Sequence, residues 1–97
     1  MKLRVDPAAL EELEQAEEYT TKEFGEFVAN AFRLAMADAL EEIAEFPERY
    51  APIRNTIRAK VLHPYPFSII YEVVQDTVRV YAIAHSKRKP FYWRDRT

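Results

Sequence analysis

The sequence predicts an α+β domain of order β-α-α-β-β-β: an antiparallel sheet with a helical hairpin packed on one face. Three observations carry this. Apolar residues recur at spacings of three and four across residues 8–46, the period of a helix with one buried side. From residue 57 to residue 85 the pattern changes to alternation, the period of strands. The only glycine, Gly25, cuts the helical half in two. A chain of 97 residues, 48% hydrophobic, fits one folded domain over 1–97.

Taken in order, Lys2 to Asp6 alternates, with Leu3 and Val5 on one side, and reads as a short strand. Asp6-Pro7 is a helix start: an aspartate can cap free amides, and proline suits the first helical position. Ala8 to Phe24 carries the stripe Ala9, Leu13, Ala16, Thr20 and Phe24, with Glu11, Glu14 and Glu18 opposite. Gly25 falls where a left-handed C-cap would end that helix. Glu26 to Phe46 repeats the pattern through Val28, Phe32, Ala35, Ala39, Ile43 and Phe46, and Pro47 stops it. Helices joined so tightly must fold back on each other. Glu48 to Thr56 has no period and reads as a loop.

Three strands follow. In Ile57 to His63, residues Ile57, Ala59 and Val61 oppose Arg58, Lys60 and Leu62. Phe67 to Val74 is apolar on both faces, as expected of a central strand. Gln75-Asp76 makes a two-residue connection. In Thr77 to His85, residues Val78, Val80, Ala82 and Ala84 oppose Arg79, Tyr81, Ile83 and His85.

The net charge of −2 conceals a division. Residues 1–48 hold 13 acidic and 4 basic side chains, a balance of −9; residues 49–97 hold 3 and 10, a balance of +7. Such asymmetry predicts one acidic and one basic face. With no cysteine, disulfides, zinc thiolates and a cysteine nucleophile are excluded. One glycine excludes a Gly-rich phosphate loop. His63 and His85 lie on different strands without metal-ligand spacing, so no metal and no cofactor is expected. No apolar run approaches the roughly 18 residues that span a bilayer, and MKLRVDP lacks a signal-peptide core, so the expectation is a cytoplasmic protein without a membrane partner.

Two sets of side chains could carry chemistry. Arg58 and Lys60 are two apart and share a strand face. On a face opposite the helices they could contact successive phosphates or stabilise charge on a phosphoryl group; the ordinary alternative is solubility and edge protection. Beyond the last strand come Arg88, a fixed fork for phosphate, Tyr92 and Trp93, which could stack on a base, and His85, which could exchange protons. The alternative is that Pro90 to Trp93 folds back as an apolar plug.

The element order, the helix end Leu40-x-x-Ile43-x-x-Phe46-Pro47-Glu48-Arg49-Tyr50, the strand Pro66-Phe67-Ser68-Ile69-Ile70-Tyr71 and the tail His85-x-x-Arg88-x-Pro90-x-Tyr92-Trp93 resemble the RelE/ParE toxin superfamily over nearly the whole chain. The Pro-Tyr-Pro-Phe and His85-x-x-Arg88-x-Pro90 patterns look nearer the ParE-like or plasmid-stabilisation branch. The resemblance implies the toxin of a type II toxin–antitoxin pair. Such a toxin inhibits growth until an antitoxin, encoded next door, wraps a segment over it, and the complex commonly represses its own operon. ParE-like members inhibit DNA gyrase. RelE-like members are metal-independent endoribonucleases that cut mRNA on the ribosome, and for that alternative the resemblance implies Arg58, Lys60, His85, Arg88 and Tyr92 as catalytic residues. Ser68 stands where RelE-like enzymes often carry an arginine. A third alternative is an inactive member that keeps only partner binding. A homodimer or a hetero-oligomer with the antitoxin is the expected assembly.

Overall fold

The computed structural model describes residues 1–97. Strand β1 (Lys2–Val5) leads into the helical segment α1 (Pro7–Glu45), followed by β2 (Pro52–Arg54), β3 (Ile57–Val61), β4 (Phe67–Val74), β5 (Thr77–His85) and a short 3-10 turn, Arg94–Arg96. The α+β order is as expected, with β2 added inside what reads as a loop. Its three residues are all exposed and include a proline, so no alternation marks it.

α1 is two helical arms, residues 7–24 and 26–45, broken at Gly25 (φ 88°, ψ 174°). This differs from a left-handed cap: the glycine is extended with positive φ, a region that glycine alone enters readily. The arms fold back, since Arg33 Nε lies 3.6 Å from Glu17 Oε2, whereas sixteen residues of unbroken helix span about 24 Å. Asp6 does not cap with its side chain. Its carboxylate instead accepts two bonds from Arg79 at 2.9 and 3.1 Å, and its backbone N–H donates to the Val80 carbonyl at 2.9 Å. That fixes the angle at which the first arm leaves the sheet. No helix is long and apolar enough to cross a membrane.

The sheet order is β1-β5-β4-β3-β2. The β2–β3, β3–β4 and β4–β5 pairs are antiparallel, whereas β1 runs parallel to β5. The sheet is therefore mixed rather than wholly antiparallel. The two helical arms carry the chain out across one face and back, and the four mutually antiparallel strands β2 to β5 then bring β5 alongside β1 in the same direction.

The helical arms bury Ala9, Ala16, Phe32, Met36, Ala39 and Ile43 against Phe67, Ile69, Tyr71, Val78, Val80 and Ile83. Ile83 belongs to this set because β5 carries a bulge. Ile70 opposes Ala82 but Tyr71 opposes Val80, leaving Tyr81 unmatched. The extra residue inverts the alternation beyond it. Val78, Val80, Ile83 and His85 thus share the helical side, and Ala82 and Ala84 turn to the far side, a correction to the alternation read from sequence. On the far side Trp93 closes a second core with Ile57, Ile70, Tyr81 and Ala82. Of the expected plug Pro90 to Trp93, Trp93 alone is buried, at 3% exposed, while Pro90 and Phe91 stay exposed.

Candidate functional site

Strand register decides where the two basic sets lie. Arg58 opposes Tyr71 and Lys60 opposes Ile69, and cross-strand partners share a face. Both cations therefore stand on the helix-covered side, not on the open face predicted for them. They can do so because β3 lies near the sheet edge, where the end of the second arm offers Glu42 instead of apolar contact. Lys60 Nζ is 3.1 Å from Glu42 Oε1 and donates to the Tyr50 hydroxyl at 2.6 Å. Tyr50 donates in turn to Glu42, which also takes Arg49 at 2.5 Å. Arg58 donates to the Tyr50 carbonyl at 2.5 Å, and the Tyr71 hydroxyl donates to the Pro47 carbonyl at 2.6 Å. The cluster straps the loop after the helix onto the sheet. The Tyr50 and Lys60 bonds, with Arg49 behind them, hold the Glu42 carboxyl down at about 2. Lys60 is raised: burial opposes its charge, but the Tyr50 and Glu42 bonds outweigh it.

The second set gathers on Glu12. Beyond Val5 the flank of β5 has no strand beside it, and such an edge needs partners for its amides. Glu12 Oε1 accepts the Ile83 backbone N–H at 3.0 Å. Arg96 donates to both carboxylate oxygens at 2.8 and 3.1 Å and to the Tyr81 carbonyl at 3.0 Å. The Tyr92 hydroxyl donates to Glu12 Oε2 at 2.6 Å. Burial first, then this bond, pushes Tyr92 far above the ordinary phenol range. Arg88 lies 3.8 Å above the Tyr92 ring, with one nitrogen 3.8 Å from Glu12. His85 stands edge-on to Phe67 at 5.1 Å, and its Nδ1 accepts the Lys87 N–H at 3.0 Å. His85 and Arg88 border an open groove of about 310 Å³ along the first arm, with Glu12, Gln15 and Tyr19 opposite.

His85, Arg88 and Tyr92 are therefore brought together, and Arg58 with Lys60 form a separate group. Lys60 and His85 sit on strands divided by β4 and two residues out of line, a backbone separation of roughly 12 Å. Ser68 opposes Ala84 on the far side, away from Arg58 and Lys60.

Sequence reasoning missed Glu12 and Glu42, the two acids on which these groups converge. The signal was present. Glu12 lies three residues after Ala9 and four before Ala16, and Glu42 three after Ala39 and four before Phe46. Each is a carboxylate inside an apolar stripe, a position that demands a partner.

The profile of the family described as "ParE toxin of type II toxin-antitoxin system, parDE" matches residues 3–90. Among solved structures, one titled "Chromosomal ParDE TA system from P. aeruginosa" superposes with a TM-score of 0.78 at 16% identity, covering 90% of this chain and 97% of that one. No curated protein matches the chain by sequence. With the family profile covering most of its length and the same fold in that structure, the chain belongs to the ParE toxin family of type II toxin–antitoxin systems.

Proposed function

We propose that this protein arrests bacterial growth as a non-nucleolytic toxin acting on DNA gyrase in the cytoplasm, and that an antitoxin encoded beside it neutralises it. One observation carries the choice of a non-nucleolytic action: the cations that a ribonuclease would need are already engaged within the fold. Lys60 is held by Glu42 and Tyr50, Arg58 by the Tyr50 carbonyl, and Arg88 lies against Tyr92 beside Glu12. A phosphate bound at Lys60 would have to displace the Glu42 carboxylate. A charged group committed this way offers little differential stabilisation to a transition state. The ribonuclease alternative needs Arg58, Lys60, His85, Arg88 and Tyr92 to act on one scissile phosphate, yet they stand in two groups. That the similar solved structure is of a chromosomal ParDE TA system supports an antitoxin partner for this chain as well.

The test is induction of the chain in a bacterium with and without the neighbouring open reading frame, followed by assay of the purified protein on gyrase. Growth should stop, co-expression should restore it, and supercoiling should be inhibited while mRNA stays intact. Rapid loss of translation with codon-positioned mRNA cuts would establish the ribonuclease alternative. Undisturbed growth at good yield of folded protein would leave an inactive family member.

A further inference from the structure

The second helical arm carries an exposed stripe in which only Asn30 is engaged, accepting from Arg33 at 2.6 Å. Phe27, Asn30, Leu34, Asp38, Glu41 and Glu45 follow one another at spacings of three and four and are all exposed, the seam of a helix that meets another helix. Phe27 is 88% and Leu34 68% exposed, the two most exposed large apolar side chains of the chain. The core does not need them, because the arm's opposite side buries Ala29, Phe32, Met36, Ala39 and Ile43. Down the seam, Asp38, Glu41 and Glu45 form no ion pair, whereas Arg33, to one side, is already paired with Glu17 and Glu26. The seam is therefore apolar toward the hairpin tip and acidic toward the helix end, over about 27 Å.

We propose that this seam docks a basic amphipathic helix of a partner protein, its apolar residues on Phe27 and Leu34 and its lysines or arginines on Asp38, Glu41 and Glu45. Charge complementarity selects this occupant. A parallel second copy would set acid against acid. An antiparallel copy centred between Phe27 and Leu34 would bury little more than two side chains from each subunit, far below the roughly 800 Å² per partner of a stable interface. An anionic lipid surface would be repelled by the same carboxylates. The proposal goes beyond the gyrase and antitoxin reading and does not depend on it.

The test titrates the full chain with two synthetic 18-residue helical peptides of identical leucine spacing, one with lysines and one with glutamates beside the leucines. The lysine peptide should bind saturably and about tenfold or more tightly than the glutamate peptide, the contrast shrinking in high salt. Phe27→Ser with Leu34→Ser, and separately Asp38→Lys with Glu41→Lys, should each weaken the lysine peptide about tenfold with unchanged circular dichroism. Equal binding of the two peptides, or full binding by either double variant, would overturn the proposal. So would concentration-dependent dimerisation abolished by the serine pair, which would assign the seam to a second copy.

Discussion

Glu12 shows how one side chain can close an edge that backbone pairing leaves open. It takes the Ile83 amide, the Tyr92 hydroxyl and both arms of the Arg96 guanidinium, and it is only 11% exposed. Glu12→Ala would leave a phenol and a strand amide without their acceptor and Arg96 without its counter-charge, with only the Tyr81 carbonyl left to it. Breaking a buried charged pair costs about 3–5 kcal/mol. Arg96 keeps some access to water, so the expected loss is nearer about 3 kcal/mol, read as a lower urea midpoint at constant slope. Glu12→Gln retains an acceptor for Tyr92 or Ile83 but turns an amide toward Arg96, and should lose roughly half as much. Equal stability of the alanine variant and the parent would show that the cluster is held by Trp93 alone. Burial first, and then its bond to Glu12, keep the Tyr92 hydroxyl protonated where exposed tyrosines ionise.

At the scale of elements, the legible features were those with a repeating period. Both helical arms, the core strand β4 and the Gln75-Asp76 connection follow from spacing alone. Single-residue events were not legible. The bulge at Tyr81 leaves the composition of β5 looking like uninterrupted alternation, yet it moves Ile83 and His85 to the other face. Alternation likewise places Arg58 and Lys60 together without saying on which side. That is settled by their register with Tyr71 and Ile69, a long-range fact. Gly25 lies between these cases: its position as a break is readable, its conformation is not. A Cβ at Gly25 would meet nothing within 4 Å, so Gly25→Ala isolates the backbone cost of φ 88°. That cost is about 1–3 kcal/mol. Thermal unfolding should show the loss with helix content unchanged, and an unaltered melting temperature would mean that the arms reorganise around a different junction.

Over the whole molecule, the opposed charges of the two halves hold its layers together more than they define two faces. Arg79 pairs with Asp6, Lys60 and Arg49 with Glu42, and Arg96 with Glu12, each a cation of the second half on an acid of the first. The acids left over, Asp38, Glu41 and Glu45 among them, make the outer helical surface acidic. Stability should consequently depend on pH at both extremes. Glu42 is held at about 2 in the folded chain, first by Tyr50 and then by Lys60, below the ordinary value of 4.5 that it regains on unfolding. The folded state therefore binds fewer protons than the unfolded one between these values, and stability is full above about pH 4.5 and falls as pH drops toward 2. Tyr81 has the opposite sign. Burial, then its bond to Glu72, raises it from 10.0 to about 12, so the unfolded chain loses its proton first and stability falls as pH rises from about 10 to 12. The completed shift corresponds to roughly 2–3 kcal/mol for this buried hydroxyl. Urea midpoints measured across pH should trace a plateau between these limits. Glu42→Gln should flatten the acid limb and leave the alkaline one, whereas Tyr81→Phe should shrink the alkaline limb and leave the acid one. An acid limb that persists in full in Glu42→Gln would refute this origin for it.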